Sequence, residues 1–377
     1  MEYFLIRQII HAIEFIINYM DKLNVAIIFG GKSAEHEISV RSAQSIIHNI
    51  DREKYHIHLI FIDKEGHWKM MPSKMVFELD HTLNLSYFTE DVAFACMENT
   101  KLFLPGEGNT PIKVDVVFPV LHGPYGEDGT IQGLFRILQL PFVGCDVMGS
   151  AAGMDKDVMK RLLIEAGIPI GKYLGCYRHN APSFEEIEEK LGLPVYIKPA
   201  KMGSSVGISK VETKSAYSVA LEEAFKYDHK VVIEENISGM EIECAVLGNR
   251  FPEASTVGRI TSFHDFYTYD SKYLDDKGFK IEIPAPIDPA SIEAIRKMAI
   301  RVFQALESEG LGRIDVFLKE NGEILVNEIN TLPGFTNISM YPMLWEKSGL
   351  VYPDLIDRLI GLAIERWEAD NLLKSSI

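Results

Sequence analysis

LGRIDVFLKENGEILVNEINTLPGFTN, residues 311–337, holds two apolar, β-branched runs on either side of Asn321-Gly322. Asn-Gly between such runs is a strong hairpin signal, because a two-residue type I′ turn needs positive φ at both central residues. The segment therefore predicts two antiparallel strands that are joined by a two-residue turn.

Four polar side chains share one face of this predicted hairpin. With a two-residue turn, Asp315 lies opposite Glu328, and Arg313 lies opposite Asn330. Facing carboxylates repel each other, and a divalent cation removes that cost. Asp, Glu and Asn oxygens suit Mg²⁺ that is shared with substrate phosphates. The alternative is a solvated face on which Arg313 neutralises Asp315; a single acidic pair would favour it, but the whole face favours a metal site.

The composition is that of a globular protein and argues against a nucleic-acid partner. The chain has 377 residues, which suggests two or three domains, and a formal net charge of −16. That charge argues against binding that depends on phosphate neutralisation. Four cysteines are scattered without a CxxC pair and read as reduced, cytosolic thiols: Cys96, Cys145, Cys176 and Cys244.

The apolar segment Tyr3–Tyr19 precedes the first strand. It is short for a membrane span, carries charged residues on one helical stripe and lacks a small-residue cleavage site. Met20 begins a stretch that resembles a natural start. We therefore expect residues 1–19 to be an upstream-start extension or an accessory helix without a catalytic role.

Two strand ends in the amino-terminal region carry candidate ligand-binding residues. Strand Val25–Phe29 ends in two glycines, after which Ser33 is expected to cap a helix with Glu35 in its first turn. Taken alone, Glu35 is better explained by helix-dipole compensation. Strand Val114–Val120 ends in LHGPYGEDGTIQG, where His122 is equally well explained as a substrate ligand or as a loop-packing residue.

A glycine-serine loop follows a lysine-bearing strand in the middle of the chain. Lys198 lies in strand Pro194–Pro199, and Met202–Gly207 offers backbone N–H groups and hydroxyls that could bind phosphate. This loop joins strand to strand, unlike a P-loop. Further along, Glu234 and Glu241 flank a Ser-Gly turn and suggest ribose and adenine contacts, with a polar hairpin end as the alternative.

The remaining pattern predicts helices and strands in alternation. The expected helices are Met148–Ala166, Phe184–Leu191, Lys214–Tyr227, Pro289–Glu307 and Tyr352–Trp367. The further strands are Tyr55–Ile62, Ile208–Val211, Val231–Ile237 and Met240–Leu247. The aromatic and charged stretch 262–280 is expected to be a lid.

Several motifs together resemble a known family. Lys156, Lys198 with its MGSSVG loop, the EENISGMEIE segment and the order RID…NEIN…PGF resemble the ATP-grasp superfamily. Adding GGKSAEHEIS, LHGPYGEDG and DSKYL, the chain resembles the D-alanine–D-alanine ligase family from about residue 21 to 370. The resemblance implies an α/β and α+β fold of three domains, with the nucleotide between two antiparallel sheets. The expected divisions are an extension (1–20), an amino-terminal substrate domain (21–144), a central domain (145–233) and a catalytic domain (234–377).

The resemblance also implies a role for each matching residue. The residues expected to bind ATP are Lys156, Lys198, Ser205, Glu234, Ile237, Glu241 and Lys272. The expected ligands of Mg²⁺ or Mn²⁺, with two ions in all, are Asp315, Glu328 and Asn330. Glu35 is expected to hold the ammonium group of the first D-alanine, with Ser204 and Tyr273 as its partners and His122 nearby. Arg313 and the Gly334 N–H are expected to stabilise the oxyanion, and Ser339 to hold the second carboxylate.

The implied reaction is the ATP-dependent ligation of two D-alanines through a D-alanyl phosphate, in a cytoplasmic homodimer that serves peptidoglycan synthesis. Tyr273 favours D-alanine over D-lactate as second substrate and excludes D-serine less firmly. A different ATP-dependent carboxylate–amine ligase is disfavoured by GGKSAEHE and Ser339. A nucleotide-binding regulatory protein is disfavoured because the expected metal ligands and Arg313 are all present.

Overall fold

The computed structural model describes residues 22–72, 83–92, 95–96, 102–105, 111–262 and 279–373. The expected extension 1–20 lies outside these residues, and so do residues 263–278 of the expected lid.

The amino-terminal part is built on a five-stranded sheet. The described strands of this part, which belong to two sheets, are β1 (Leu23–Gly30), β2 (Tyr55–Ile62), β3 (Trp68–Met70), β4 (Glu90–Asp91), β5 (Ala95–Cys96), β6 (Leu102–Pro105), β7 (Pro111–Val114) and β8 (Val116–Val120). The sheet order is β4-β3-β2-β1-β8, with β2, β1 and β8 parallel, while β5, β6 and β7 form a small separate sheet. All eight residues of β2 are buried, as expected for a parallel strand that is covered on both faces.

Helices accompany this sheet and lead into the central part. They are α1 (His36–Asn49), α2 (Thr130–Ile137), α3 (Val147–Met154) and α4 (Lys156–Glu165). The prediction of a single helix over Met148–Ala166 is wrong, because the helix is interrupted between α3 and α4. Asp155 has extended backbone angles there, and its side chain accepts a hydrogen bond from Val158 N. Asp155 is thus the N-cap of a second helix, which begins with Lys156.

The central sheet is wholly antiparallel. It contains β9 (Tyr173–Tyr177), β10 (Val195–Pro199), β11 (Ser209–Val211) and β12 (Lys230–Glu235), with α5 (Phe184–Leu191) and α6 (Lys214–Ala224) between them. The strand order is β11-β10-β12-β9. The glycine-serine loop therefore joins two adjacent strands, as predicted. A short 3₁₀ turn, Arg178–Asn180, follows β9, and a second one, Leu85–Tyr87, precedes β4.

The carboxyl-terminal sheet is also antiparallel and has the order β15-β14-β13-β16-β17. Its strands are β13 (Met240–Gly248), β14 (Glu253–Ser262), β15 (Phe279–Glu282), β16 (Gly310–Leu318) and β17 (Ile324–Asn330). The helices that cover it are α7 (Pro289–Ala305), α8 (Met340–Lys347) and α9 (Tyr352–Asn371). The three-domain division stays a prediction. A boundary at 233 would cut β12, so the sheets favour one between residues 236 and 239.

The hairpin of β16 and β17 has the predicted pairs but a different turn. Lys319 N donates to Glu323 O over 2.9 Å, and Asn321 has a negative φ whereas Gly322 has φ 82°. The loop therefore has three residues, and the predicted type I′ turn is wrong. A β-bulge at Asn327 then shifts the register back by one residue. The two shifts cancel.

One hydrophobic core contains residues from both the amino-terminal and the carboxyl-terminal parts of the protein. One cluster packs Ile27 and Leu59 of the first sheet with Leu355 and Leu359 of α9. The amino-terminal and carboxyl-terminal parts thus share buried apolar surface, which fixes their relative position. In the ranges that the structure describes, no helix is long and apolar enough to cross a membrane.

Candidate active site

Glu35 and Ser204 lie on loops that follow strands of two separate sheets, and their side chains meet just before α1. Glu35 directly precedes that helix, and its Oε1 accepts a hydrogen bond from Ser204 Oγ. Ser204 has φ 49°, in the left-handed region that few residues other than glycine adopt. Such strain is tolerated where the surrounding structure must present a side chain in one direction. The structure thus brings together two residues that the resemblance assigns to the first substrate.

Two glycines enclose the Glu35 carboxylate. An added Cβ at Gly123 would lie 2.9 Å from Glu35 Oε2, and one at Gly203 would lie 3.0 Å from the same atom. A side chain at either position would displace the Glu35 carboxylate, so the two glycines let both loops approach it this closely. The two loops and the carboxylate therefore form one enclosed group.

The expected capping role of Ser33 is wrong. Ser33 Oγ accepts from Glu35 N over 2.9 Å and donates to His122 O over 2.7 Å. Glu35 itself occupies the N-cap position and is not in the first turn. Its side chain does not cap the helix and turns to Ser204, which leaves dipole compensation an incomplete account of this residue.

His122 and Glu127 both bind the backbone of Leu332. His122 Nδ1 lies 2.8 Å from Leu332 O, and Glu127 Oε1 accepts from Leu332 N over 3.2 Å. Glu127 Oε2 also accepts from Gly123 N over 2.6 Å. Burial lowers the pKa of His122 and, with the nearby Glu35 charge, raises the pKa of Glu127 to about 8. The loop after β17 is thereby fixed to the loop that follows β8.

Three lysines contact carboxylates in the region where the nucleotide is expected to bind. Lys156 Nζ donates to Met202 O over 2.9 Å and lies 3.3 Å from Glu328 Oε2. Lys198 Nζ lies 2.8 Å from Glu234 Oε2, and Lys160 Nζ lies 3.2 Å from Glu234 Oε1. Burial alone would raise the pKa of Glu234, but the two lysines outweigh it and lower that pKa to about 2. Glu234 is therefore a buried, ionised carboxylate.

Three further residues that are expected to bind the nucleotide lie within the described ranges: Ser205, Ile237 and Glu241. Ile237 is half-buried, with its Cδ1 2.6 Å from a Cβ placed on Gly171, and Glu241 is exposed at the start of β13. Ser205 has φ 61° in the glycine-serine loop. In that loop Val206 N donates to Gly203 O and Ile208 N to Ser205 O. The Val206 N–H is therefore used within the loop, so fewer of the backbone N–H groups of Met202–Gly207 are available to a phosphate.

The hairpin face carries the expected metal ligands. Asp315 pairs with Glu328 and Arg313 with Asn330, as predicted. Arg313 Nε lies 2.8 Å from Asp315 Oδ1, and its NH2 group lies 2.7 Å from Asp315 Oδ2. The same Nε lies 2.9 Å from Glu243 Oε2 on β13.

This face fits a divalent cation by its donors, because it offers two carboxylates and one amide oxygen on adjacent strands. Arg313 and Lys156 balance the two carboxylates. The contact between Arg313 and Asp315 is also the one that the solvated-face alternative predicts. The metal site therefore stays a prediction, which the chemistry of its donors favours.

Gly334 and Ser339 lie together in the loop before α8. An added Cβ at Gly334 would lie 3.0 Å from Ser339 Oγ, and Ser339 Oγ accepts from Thr336 N over 2.9 Å. Ser339 occupies the N-cap position of α8 without a side-chain cap. Phe335 N donates to Ser42 Oγ over 3.0 Å, which ties this loop to α1. The loop that carries the residues expected at the second substrate is thus held against the helix that follows Glu35.

A cavity of about 410 Å³ opens beside Ser33 and His122. Its volume is in the range of small-molecule sites. The expected residues Lys272 and Tyr273 lie outside the described residues.

Sequence reasoning missed three residues of this region. Lys160 lies one helical turn after Lys156, Glu127 lies within the quoted LHGPYGEDG motif, and Glu243 lies two residues after Glu241. The spacing of Lys160 and Glu243 puts each on the same face as a residue that was singled out. The residues that these three side chains contact belong to other helices, strands and loops, so the local sequence does not indicate the contacts.

The protein has two antiparallel sheets that bear lysines and carboxylates, beside a further sheet whose strand β1 ends at two glycines. This is the architecture of the ATP-grasp class of ligases. Family models described as "D-ala D-ala ligase N-terminus" and "D-ala D-ala ligase C-terminus" match residues 24–145 and 162–361. The chain belongs to the D-alanine–D-alanine ligase family.

Individual relatives are similar to this chain along nearly their whole length. D-alanine–D-alanine ligase A of Escherichia coli K12 is 49% identical over 365 residues, which cover 95% of this chain and 100% of that protein. The structure of D-alanine–D-alanine ligase from Coxiella burnetii has a TM-score of 0.83 at 36% identity, covering 93% of this chain and 97% of that one. The VanG D-Ala:D-Ser ligase of Enterococcus faecalis has a TM-score of 0.79 at 38% identity, with 91% and 99% covered.

Proposed function

We propose that this protein joins two molecules of D-alanine to D-alanyl-D-alanine, with ATP as the energy source, for peptidoglycan precursor synthesis. The observation that carries the proposal is the contact between Glu35 and Ser204 in a chain of this family. Glu35 would hold the ammonium group of the first D-alanine, with Ser204 and Tyr273 as its hydrogen-bonding partners. His122 would border the same substrate.

In the first step, a carboxylate oxygen of D-alanine attacks the γ-phosphorus of ATP. A new P–O bond forms, the bond to the β-phosphate oxygen breaks, and ADP leaves. Phosphoryl transfer needs mainly positioning and charge neutralisation. The residues that would position the nucleotide are Lys156, Lys198, Ser205, Glu234, Ile237, Glu241 and Lys272.

In the second step, the amine of the other D-alanine attacks the acyl carbon of D-alanyl phosphate. A C–N bond forms, the C–O bond to phosphate breaks, and phosphate leaves with the electron pair. The amine nitrogen loses one proton, which the departing phosphate takes up. Arg313 and the Gly334 N–H would stabilise the oxyanion that develops at the acyl carbon. Ser339 would hold the carboxylate of the second D-alanine.

The hairpin face would hold Mg²⁺ or Mn²⁺ through Asp315, Glu328 and Asn330, and we propose two ions in all. Bound Mg²⁺ supplies charge neutralisation at the phosphates. Residues 262–280 would exclude water from the acyl phosphate, because hydrolysis would waste the intermediate.

The choice of second substrate rests on Tyr273, which favours D-alanine. The 38% identity to a D-Ala:D-Ser ligase makes D-serine the alternative to test. ADP release should be measured with Mg-ATP and D-alanine, then with D-serine or D-lactate added, and the products identified by mass spectrometry. We expect D-alanyl-D-alanine as the main product and no ADP with L-alanine. A mainly mixed product would overturn the specificity, and ATP binding without ADP release would indicate a regulatory protein.

We further propose that the protein works in the cytoplasm as a homodimer. Free, buried thiols at Cys145, Cys176 and Cys244 support a reducing compartment. Sedimentation equilibrium of the purified chain tests the assembly: a monomer at micromolar concentration would contradict it.

A further inference from the structure

Three carboxylates form one row across the carboxyl-terminal sheet. Asp315 on β16 pairs with Glu243 on β13 and, on its other side, with Glu328 on β17. Facing carboxylates repel each other, so the row needs compensating positive charge. Arg313 lies beside Asp315 and Glu243, and Lys156 lies beside Glu328. Glu243 therefore faces the same guanidinium as an expected metal ligand.

Arg313 is shared unequally between its two carboxylates. Its Nε and Nη2 donate hydrogen bonds to the two carboxylate oxygens of Asp315, over 2.8 and 2.7 Å. Glu243 Oε2 lies 2.9 Å from the same Nε, but the Nε hydrogen points at Asp315. A small rotation of the guanidinium would thus exchange one acceptor for the other. All three side chains are largely buried, with 14 to 19% of their surface exposed.

This arrangement creates a conflict for Asp315. A carboxylate that gives both oxygens to one guanidinium has less negative charge to offer a cation. If the cation weakens that bidentate contact, the buried Arg313 guanidinium loses hydrogen bonds to Asp315, which is costly. A second carboxylate within reach of the same Nε removes this cost.

We propose that Glu243 is the positioning residue that holds Arg313 when Asp315 turns to a divalent cation. The inference rests on the proposed function, since it takes Asp315 as a cation ligand and Arg313 as the oxyanion donor. Glu243 would keep the guanidinium in place while releasing Asp315. Of the described residues, only Asp63, Glu65 and His67 bring three carboxylate or imidazole ligand atoms within 4.8 Å of one another. The row therefore does not converge on one ion, which favours a role through Arg313.

The test is a double-mutant cycle that is read by Mn²⁺ binding. Wild type, Glu243→Gln, Arg313→Met and the double variant are titrated with Mn²⁺ at saturating ADP, and free Mn²⁺ is followed by electron paramagnetic resonance. We expect Glu243→Gln to weaken Mn²⁺ binding about fivefold, because Arg313 then stays on Asp315. In the Arg313→Met background the same change should cost less than about twofold.

The matched control is Glu323→Gln, which removes a carboxylate at the tip of the same hairpin, where Glu323 pairs with Lys319. Its Mn²⁺ binding and turnover should match wild type. Glu243→Asp, with the charge kept, should restore part of the affinity. Equal losses in both backgrounds would mean that Glu243 acts on the cation directly, and no loss in wild type would mean that it does not act. Either result overturns the proposal. Ligation is not needed for this readout, so a failure of the proposed function would be visible separately as absent dipeptide product.

Discussion

Lys198 Nζ lies 2.8 Å from Glu234 Oε2 on the neighbouring strand. Two residues that are expected to bind the phosphates and the adenine of one nucleotide are thus paired with each other. Because Lys198 has three N–H donors, a bound phosphate would either share Lys198 with Glu234 or displace Glu234 from it. Lys160, on the other oxygen of Glu234, would then keep the carboxylate ionised. The ionised state of Glu234 is therefore supported by Lys160 both with and without a bound phosphate.

Lys160→Met should destabilise the protein, because it removes one of the two partners of a buried carboxylate. We expect a loss of roughly 2–4 kcal/mol in the free energy of unfolding, measured by urea denaturation. Lys226→Met is the control, since Lys226 forms an exposed pair with Glu223; it should leave the free energy of unfolding close to that of wild type. Similar losses in both variants would show that Lys160 does not support a buried charge.

Arg313→Ala should lower turnover by roughly 100- to 1,000-fold, the usual cost of removing one oxyanion donor. The substitution also leaves Asp315 and Glu243 without their shared cation, so folding should be checked by circular dichroism. Steady-state kinetics with saturating ATP and D-alanine give the result. Near-normal turnover would remove Arg313 from the mechanism.

Glu127 should make stability depend on pH. Burial raises its pKa from about 4.5 to about 8, so between these values the folded protein keeps a proton that the unfolded chain releases. This contribution is complete below pH 4.5 and is lost as pH rises to 8. Glu127→Gln keeps the neutral shape and should flatten the profile. Between pH 5 and pH 8, the free energy of unfolding measured in urea should fall by on the order of 1–3 kcal/mol more in wild type than in Glu127→Gln. Parallel pH profiles of the two proteins would contradict the raised pKa.

The hairpin loop can be tested at its two central residues. Gly322 has φ 82° with no atom within 4 Å of an added Cβ, so Gly322→Ala should cost about 1 kcal/mol through backbone strain alone. Asn321 has a negative φ and accepts from Glu323 N over 3.0 Å. Asn321→Gly should therefore also destabilise, by roughly 0.5–1 kcal/mol. A neutral or stabilising effect, measured by urea unfolding, would point to the type I′ turn.

The hairpin also illustrates what the sequence can predict. The alternation of apolar and polar residues correctly identified both strands and the face shared by Asp315 and Glu328. The turn was wrong, because Asn-Gly suits both a two-residue and a three-residue loop. The bulge at Asn327 restored the pairing, and nothing in the local pattern marks a bulge there.

Other features depended on contacts between distant segments. Glu35 and Ser204 are 169 residues apart, and no local pattern links them. Glu127 appeared as one of several polar residues after a strand, and its burial depends on Leu332, 205 residues away. Only the resemblance to a family related such segments before the structure did.

The central claim is that the first D-alanine is activated as an acyl phosphate. It can be tested with D-alanine that carries ¹⁸O in both carboxylate oxygens, Mg-ATP and the full chain, with the inorganic phosphate analysed by mass spectrometry. If the carboxylate attacks the γ-phosphorus, one ¹⁸O passes into each phosphate released and none into ADP. Unlabelled phosphate, with dipeptide formed, would contradict the account, because the carboxylate oxygen would then never have been bonded to phosphorus.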